Sequence, residues 1–497
     1  MDVSRGSALA LLGVGLFLVT MVVGAATAPS GSAGGVDAPA TPTPSTDGTA
    51  TPPDSGATAA PTATPDDDPL TLVGNQGGWV THGSVIAFDG RSVAWRNTQA
   101  DGYFEVSRLD DGRVLAAFAN ESSDDCGELS APCARTGYRI IEPGSGEIVS
   151  EYSFPVGSIT NSEVHAADAT GDGGIAYVDM DAERVVVVEN GTEVWEWRAS
   201  ELYEAPDDPA SRDWLHINDV DTIGDGRFLV SVRNANQILI VERGEGVVEI
   251  INEDDGTSDA NCLSSGRLYD ADGDGDVRCG DPGVIKEQHN PQWLGDGAVL
   301  VADSENDRVV ELHRDDDGDW EPVWAVDRAG GIHLTWPRDA DRLPNGNTLI
   351  ADSRNRRVIE VNPRGEMVWN VSVGAAARHG PGIVYEADRL PYGEFAGSYG
   401  GSTPTDGTAT DGEATTPTQT PLPRMTAANG TGSLTAPDEE IPLLSEAVAG
   451  LQGTFAWVPI WFGELHLAAA ALGLLFVLAG GVDHLLAARG VSLPGRE

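Results

Sequence analysis

The chain has 497 residues, of which 30 are basic and 78 are acidic, so its formal net charge is −48. This charge disfavours nucleic acid and anionic lipid surfaces as partners, because both are bound through basic patches that release counterions. Lys286 is the only lysine, and an acidic, lysine-poor surface is typical of a protein that stays soluble in high salt. With 40% hydrophobic residues and 12 tryptophans, the chain is too apolar for an acidic disordered polypeptide, so we expect a sizeable core.

Two apolar runs lie near the ends of the chain. Residues 1–28 contain a run of about 20 apolar residues that ends in small residues, as in a cleaved signal peptide or a retained N-terminal membrane anchor. A second run at 465–482 predicts a C-terminal transmembrane helix within 458–487, followed by a cytoplasmic tail at 488–497. We therefore expect the middle of the chain to lie on the extracellular face of the cell membrane.

Two polar segments separate these runs from the middle of the chain. Residues 29–69 and 398–457 are rich in Thr, Pro, Ser, Gly and Asp, and this composition predicts disordered stalks that could carry O-linked sugars. They isolate a folded unit at 70–397. Four Asn-x-Ser/Thr triplets are N-glycosylation acceptors that fit an exported glycoprotein, namely those at Asn120, Asn190, Asn370 and Asn429.

The folded unit repeats itself roughly every 50 residues. Each copy has a turn glycine, a short apolar strand, a polar turn and a second apolar strand, most clearly at 289–312 and 338–361 and more weakly at 165–188 and 218–241. Runs of β-branched residues between Gly, Asn and Asp turns predict strands and no helices. Four strands per copy and six copies predict an all-β, six-bladed β-propeller, with an open or seven-bladed form as the alternative.

The two ends of the folded unit predict how the propeller closes. Residues 385–393 resemble the first half of a repeat, and residues 84–97 resemble the second half. Together they would form one composite blade that leaves no exposed sheet edge.

The four cysteines fall in two local pairs, and each pair lies in one of the two longest intervals between repeats. We expect two disulfides, Cys126–Cys133 and Cys262–Cys279, that close inserted loops of an exported protein. A zinc site would favour closer Cys-x-x-Cys spacing.

Polar residues recur on the first strand of the repeats. Eight residues before successive turn glycines, the sequence has Phe104, His165, Asn218, His289, Arg338 and Tyr385. The first strand of each blade lines the central channel of a propeller, and His216 shares the face of Asn218 by the period of two. Arg233 and Arg308 follow in the next turns. We expect these imidazole and guanidinium groups to converge, with Asn218, Arg233 and Arg338 binding substrate. Ordinary channel-lining residues bonded to one another are the alternative.

Such a cluster favours the chemistry of oxyanions. Imidazoles and guanidinium groups donate to a tetrahedral sulfate or phosphate and stabilise its transfer, with one histidine as nucleophile or base. Nearby arginine disfavours a metal cation at the same place, so we expect no metal for catalysis.

Three segments, 213–241, 287–312 and 343–369, resemble the arylsulfotransferase (ASST) family of six-bladed propellers. Their Asp-Trp-x-His-x-Asn and Gln-His elements are the most specific part of the match, which covers the propeller only. With its terminal apolar runs, the chain resembles a membrane-anchored member of haloarchaeal type. The resemblance implies that a sulfuryl group moves from an aryl sulfate ester to a phenol through a sulfated histidine, without a nucleotide cofactor.

The resemblance also implies roles for individual residues. His216 and His289 would contact the sulfuryl and phenolic oxygens, and Arg308 would lie near the arginine of the family. The nucleophilic histidine of the family lies in a later blade. Because that inner strand here has Arg338 in its place, His333, five residues upstream, is the first candidate for the nucleophile and His165 is the second.

A separate motif at residues 270–281 predicts a structural Ca²⁺ site. Asp270, Asp272 and Asp274 alternate, a glycine follows at the sixth position and Asp281 stands at the twelfth, which is the spacing of a calcium loop. Asp276 would bind through its backbone carbonyl. In so acidic a chain, Asp-Gly runs also arise from composition alone, and we expect no catalytic role for the loop.

Two further functions stay open on the sequence. One is a non-catalytic cell-surface propeller that binds an anionic or aromatic ligand or a protein partner. The other is a quinone- or metal-dependent oxidoreductase, which would carry a chromophore or a redox metal.

Overall fold

A computed structural model of the chain describes most of the folded unit. The described residues are 70–77, 82–295, 297–374, 376, 382–391, 423–425, 430, 432, 434, 467–468, 470–472 and 474–479. The chain divides into two compact units, Pro69–Ala468 and Met1–Asp68 with Ala469–Glu497. The predicted N-terminal segment, the first stalk and the cytoplasmic tail lie outside the described residues. Within the part of the chain that is described, no helix is both long and apolar enough to cross a membrane.

The first unit is a six-bladed propeller, and each blade is a four-stranded antiparallel sheet. Blade 1 comprises β26 (Ile383–Arg389), β1 (Leu70–Gly77), β2 (Ser84–Asp89) and β3 (Ser92–Asn97). Blade 2 comprises β4 (Gly102–Arg108), β5 (Val114–Ser123), β6 (Cys133–Glu142) and β7 (Glu147–Val156). Blade 3 comprises β8 (Ala167–Ala169), β9 (Ile175–Asp179), β10 (Arg184–Glu189) and β11 (Thr192–Arg198).

The other three blades follow in chain order. Blade 4 comprises β12 (Ile217–Gly224), β13 (Arg227–Val232), β14 (Gln237–Glu242) and β15 (Gly246–Ile251). Blade 5 comprises β16 (His289–Trp293), β17 (Ala298–Asp303), β18 (Arg308–Arg314) and β19 (Trp320–Val326). Blade 6 comprises β22 (Asp339–Arg342), β23 (Thr348–Asp352), β24 (Arg357–Val361) and β25 (Met367–Ser372). A short helix α1 (Asp259–Ser264) lies between blades 4 and 5. A hairpin of two short strands, β20 (Arg328–Ala329) and β21 (Ile332–His333), lies between blades 5 and 6.

The propeller closes through the composite blade that the sequence predicts. Strand β26 pairs antiparallel with β1, with Thr71 opposite Arg389 and Val73 opposite Ala387. The innermost strands β26, β4, β8, β12, β16 and β22 contact one another in a closed ring around the axis. The prediction of six blades is therefore confirmed, and the open and seven-bladed alternatives are excluded.

Buried carboxyl groups link the innermost strands from blade to blade. Each of these side chains accepts a backbone N–H from the inner strand of the next blade, which holds adjacent blades at the channel. The bonds are Glu105 to Ala167 (3.1 Å), Asp168 to Thr222 (2.9 Å), Asp339 to Ala387 (2.9 Å) and Glu386 to Val106 (2.7 Å). Apolar side chains pack between the blades outside this ring, as where Trp195 stacks on Phe228 with ring centroids 5.1 Å apart.

Both predicted disulfides are confirmed. Cys126–Cys133 closes the β5–β6 connection, and Cys262–Cys279 ties α1 to the segment before β16. The Cα separations of 5.7 and 6.6 Å lie in the normal range.

Part of the predicted second stalk contacts the propeller. The buried side chain of Met425 packs in a core cluster with Leu294 and Trp324, and its backbone N–H donates to Glu311 (3.0 Å). A disordered stalk at 398–457 would not make these contacts, so the prediction does not hold at Met425.

Candidate functional site

Aromatic and imidazole rings from several blades meet at one end of the channel. The ring centroid of His165 lies 4.6 Å from that of Phe104, 5.2 Å from that of His216 and 5.3 Å from that of Tyr385. The ring of His289 lies 6.0 Å from that of Tyr385. Because these side chains come from different inner strands or their approaches, the channel is the place where the folded chain assembles them.

Local irregularities of the inner strands turn these side chains toward one another. The pairing of β16 with β17 shifts register between His289 and Gln292, and the pairing of β12 with β13 shifts between Ile217 and Asp219. A β-bulge re-aims the side chains beside it. His216 itself has a left-handed backbone, with φ of 53°. A non-glycine residue in that region needs support from its surroundings.

Two carboxylates supply that support to His216. Its backbone N–H donates to Glu183 (2.6 Å), and its ring Nδ1 lies 2.5 Å from Oδ1 of Asp213. Burial lowers the pKa of His216, and the charge of Asp213 opposes that shift. Burial alone would raise the pKa of Asp213, but His216 and neighbouring guanidinium groups hold it well below its usual range. Asp213 is therefore an anion that fixes the orientation of the His216 ring.

His289 is held in one tautomer. Its Nδ1 lies 3.2 Å from the carbonyl oxygen of Glu287 and 2.9 Å from Oγ of Ser304, and that hydroxyl donates to the carbonyl oxygen of Pro337 (2.7 Å). Since a carbonyl only accepts, Nδ1 carries the proton and Nε2 carries the lone pair. Nε2 is buried and has no hydrogen-bond partner among the described residues. Burial, together with nearby arginines, places the pKa of His289 well below its ordinary value, so the ring is neutral.

His165 occupies the middle of the cluster but is held by ring contacts. Both of its ring nitrogens are buried, and neither has a hydrogen-bond partner in the part of the chain that the structure describes. Burial, then the neighbouring charges of His216 and Arg338, lower its pKa well below the ordinary value. His165 is therefore a neutral ring with no hydrogen bond from these residues to select its tautomer.

Arg338 brings a positive charge to the site, and Glu163 attracts it through space. Its guanidinium donates to the side-chain oxygen of Gln76, and its Cζ lies 3.9 Å from the ring centroid of Trp336 and 5.0 Å from that of Tyr385. Burial lowers its pKa to about 9, so the group is still protonated at neutral pH. It forms no salt bridge with any residue that the structure describes.

Arg233, in contrast, is neutralised by carboxylates. Its guanidinium pairs with Glu287 and lies 3.9 Å from Asp213. Arg267 bridges the same two carboxylates at 3.0 and 3.4 Å. The sequence placed Arg233 in the cluster, and the structure gives it a bridging position at the edge of the imidazoles.

Two other predicted residues form structural contacts. The amide of Asn218 donates to the carbonyl of Gln288 (2.9 Å), while its Oδ1 is buried without a partner among the described residues. Arg308 is buried and donates to Asp303 (2.7 Å) and to the carbonyl of Val284 (2.8 Å). Blade 6 repeats this arrangement with another Asp–Arg pair (2.6 Å). The Asp303–Arg308 pair of blade 5 thus has a counterpart in blade 6. None of these contacts of Arg308 involves an imidazole of the channel.

His333, the first candidate for the nucleophile, lies in the β20–β21 hairpin. Its exposed ring contacts Arg328, and its carbonyl accepts from Asn355 (2.8 Å). The ring contacts that join the channel imidazoles do not involve it.

The sequence reasoning missed residues that support the site. Asp213 lies in the Asp-Trp-x-His-x-Asn element that the resemblance rests on, so a signal for it was present. No sequence signal marked Glu183 or Trp336. Glu183 contacts His216 from the neighbouring blade, and the position of Trp336 depends on a left-handed backbone conformation, with φ of 54°.

The predicted calcium loop is only partly assembled. Asp270, Asp272 and Asp274 place carboxylate oxygens within 4.8 Å of one another, and this set fits a hard cation. Asp276 instead groups with two other acidic residues, and the carboxylate of Asp281 accepts a backbone N–H from Gly283 (2.7 Å). Of the four ligands predicted to bind through a carboxylate, three therefore converge, and the backbone carbonyl predicted for Asp276 stays a prediction.

Solved structures similar to this chain share little sequence with it. A protein of unknown function from Bacteroides caccae is 13% identical, over 64% of this chain and 98% of its own, with a TM-score of 0.41. The periplasmic gluconolactonase of Pseudomonas aeruginosa is 14% identical, over 64% and 98%, with a TM-score of 0.36. A putative 6-phosphogluconolactonase of Bacteroides uniformis is 11% identical, over 65% and 100%, with a TM-score of 0.39. These likenesses carry no argument about function, and no curated protein matches the sequence significantly.

One family model matches the part of the chain that holds the imidazole cluster. The match runs from residue 146 to residue 374, which covers blades 3 to 6 and includes His165, His216 and His289. Residues 146–374 carry the sequence pattern of the arylsulfotransferase (ASST) family.

Proposed function

We propose that the channel site moves a sulfuryl group from an aryl sulfate ester to a phenol, with Nε2 of His289 as the nucleophile. The family match and the propeller fold support an arylsulfotransferase-like function. One observation carries the choice of nucleophile. Nε2 of His289 is a buried lone pair without a partner among the described residues, on a neutral ring whose other nitrogen is committed to Glu287 and Ser304.

In the first half-reaction, Nε2 of His289 attacks the sulfur of the aryl sulfate. The N–S bond forms, the bond from sulfur to the aryl oxygen breaks, and its electron pair leaves on that oxygen as a phenolate. The guanidinium of Arg338, which has no salt bridge in the described ranges, offsets the charge on the sulfuryl oxygens during this step.

In the second half-reaction, an acceptor phenol takes the sulfuryl group. Nε2 of His216 accepts the phenol proton, the phenol oxygen attacks sulfur, and the electron pair of the N–S bond returns to His289. Asp213, 2.5 Å from the opposite nitrogen of His216, stabilises the imidazolium that forms. Protonated His216 then passes the proton to the phenolate released earlier, so the cycle balances.

The test uses the full chain in detergent and high salt, with a ³⁵S-labelled aryl sulfate as donor and a phenol as acceptor. We expect phenol release and a protein-bound label that is lost in His289→Ala. His333→Ala should keep the label, because the ring of His333 is exposed in the β20–β21 hairpin. A label that survives His289→Ala and disappears in His165→Ala would make His165 the nucleophile, and absence of phenol release from the wild type would favour a binding propeller.

We also propose that the propeller acts on the extracellular face of the cell membrane, held by its terminal segments. The two disulfides support an oxidising compartment. Protease digestion of intact cells should remove the propeller, and N-terminal sequencing of the mature chain would establish whether residues 1–28 are cleaved. Protection of the propeller until the cells are lysed would contradict the proposed topology.

A further inference from the structure

Trp336 stands beside the proposed nucleophile in a conformation that few residues adopt. Its φ is 54°, and its ring centroid lies 6.1 Å from that of His289. Two acceptors hold it there, because Asp307 takes its backbone N–H (2.6 Å) and Glu305 takes its indole N–H (2.9 Å). A bulky residue in the left-handed region is strained, and such strain is often found at ligand sites.

The indole of Trp336 lies beside two guanidinium groups. The Cζ atom of Arg338 is 3.9 Å from the ring centroid and that of Arg354 is 4.1 Å from it. Both guanidinium groups therefore contact the same indole ring. Cation–π attraction holds each guanidinium in place, so both are positioned before any ligand arrives.

Neither guanidinium forms a salt bridge among the residues that the structure describes, although Glu163 attracts Arg338 through space. The charges of Glu305 and Asp307 attract Arg354 through space, but both carboxylates are already the acceptors for Trp336. Arg233, at the same mouth, is paired with Glu287. In a chain with a net charge of −48, two adjacent arginines that form no salt bridge can still donate to an external anion.

We propose that Arg354 forms a second anion-binding position, which takes a carboxylate on the aromatic ring of the substrate. The inference rests on the proposed function. With the sulfuryl or phenolic end at Arg338 and His289, the far end of the ring reaches past the edge of Trp336 to Arg354. Arg354 is partly exposed while Arg338 is buried, so the two positions run from the channel mouth inward. The site therefore selects aryl substrates that carry a second, anionic group.

The kinetic test compares two acceptors that differ in that group, 4-hydroxybenzoate and its neutral methyl ester, with 4-nitrophenyl sulfate as donor. We expect the wild type to favour the carboxylate in kcat/KM by at least about tenfold, the effect of one charge-assisted hydrogen-bonded pair. Arg354→Gln should bring the ratio close to one. Arg356→Gln is the matched control, because Arg356 lies two residues away and is half-buried, and it should keep the wild-type ratio.

A binding measurement separates this inference from the proposed function. Equilibrium dialysis of the same two phenols, without donor, should give tighter binding of 4-hydroxybenzoate to the wild type and to Arg356→Gln than to Arg354→Gln. If this preference is found but no protein transfers sulfate, the anion position stands and the transferase proposal fails. If transfer proceeds and Arg354→Gln leaves both the kinetic ratio and the binding unchanged, Arg354 is not an anion position.

Discussion

The backbone of His216 depends on one side chain from the neighbouring blade. Glu183 is buried, and its carboxylate accepts three successive backbone N–H groups, from Leu215 (2.9 Å), His216 (2.6 Å) and Ile217 (3.0 Å). Three buried donors around one carboxylate hold the left-handed turn at His216 closed. Burial raises the pKa of Glu183 to about 7. Glu183 is thus a positioning residue that acts through His216.

Glu183→Gln should weaken both this turn and the transfer reaction. A carboxamide offers one acceptor oxygen, so at least one buried N–H loses its partner, and the free energy of unfolding should fall by about 1–3 kcal/mol. We expect kcat to fall by about tenfold with little change in KM, because the group removed does not touch substrate. Urea denaturation and steady-state kinetics measure the two effects. Glu189→Gln, at the far end of β10, which Glu183 directly precedes, is the control. An unchanged His216 ring resonance in the NMR spectrum of Glu183→Gln would contradict the positioning role.

Asp213→Asn tests how the His216 ring is oriented. The amide removes the charge that stabilises the imidazolium, so transfer to the acceptor should slow by about 10²–10⁴-fold. Formation of the labelled protein should continue, because the proposed first step needs no proton transfer by His216. Rapid-quench measurement of the two half-reactions checks this split. Equal slowing of both steps would show that Asp213 acts on the whole site and not on His216 alone.

At the residue scale, the sequence predicts which imidazoles meet but not how each is held. The repeat register places His165 and His289 on inner strands, and a period of two adds His216. The tautomer of His289 depends on the carbonyl of Glu287 and on Ser304 beyond the next strand, which no local pattern encodes. The sequence favours His333 because it lies five residues before Arg338. Separation along the chain, however, carries no information on where a hairpin places its side chains.

At the scale of the strand, the inner strands carry more acid than the channel can keep ionised. Burial raises the pKa of the buried Asp and Glu side chains on these strands, and in most of them neighbouring carboxylates raise it further. Burial raises that of Asp168 to about 6 and that of Asp339 to about 7. For the others the pKa lies well above its ordinary value, namely Glu105, Asp219, Asp221, Asp341, Glu386 and Asp388. The folded propeller therefore holds protons here that the unfolded chain releases at neutral pH.

This proton uptake makes stability depend on pH. A carboxyl whose folded pKa is raised contributes stability that is complete below its unfolded value near 4 and is lost as the pH rises through the folded value. The free energy of unfolding, measured by denaturant titration at constant high salt, should fall between about pH 5 and pH 8, by about 1.4 kcal/mol per pH unit for each proton held. Asp221→Asn should flatten the slope, because the amide has no titrating proton and both Asp221 oxygens lack a partner among the described residues. A wild-type stability that rises over this range would show that the ring is not protonated.

The loop before β16 is the other acidic element, and the sequence predicts a cation for it. With Asp270, Asp272 and Asp274 converging, added Ca²⁺ should raise the melting temperature of the protein by a few degrees at [Ca²⁺] well above Kd. Chelation should reverse the rise. Asp272→Asn should abolish the rise, whereas Asp315→Asn, in the acidic β18–β19 turn, should keep it. A melting temperature that does not change with Ca²⁺ would contradict the predicted site and attribute the Asp spacing to the acidic composition of the chain.

At the scale of the whole molecule, the repeat pattern was enough to predict the propeller and its composite closing blade. Strand β1 of the composite blade was not predicted, because it follows the polar linker directly and has no turn glycine of its own. The contacts of residues 423–425, 430 and 432 could not be predicted for a similar reason, since the composition of this stretch is that of a linker. Its contacts depend on single atoms. A Cβ on Gly432 would lie 2.8 Å from the backbone nitrogen of Val326, and one on Gly430 would lie 2.8 Å from the carbonyl oxygen of Ala325.

Met425 tests whether this segment is part of the folded propeller. Its side chain is 4% exposed in the cluster with Trp324, and its backbone bonds to Glu311, which also pairs with Arg342 (2.9 Å). Met425→Ala removes buried apolar atoms and leaves a cavity, so the free energy of unfolding should fall by about 2–3 kcal/mol. Leu434→Ala, at a position that is 37% exposed, should change it by less than about 0.5 kcal/mol. If both variants match the wild type in denaturant titrations, the segment does not dock. If Met425→Ala alone is destabilised, the propeller extends beyond its last strand, and a chain cut at residue 397 lacks part of its core.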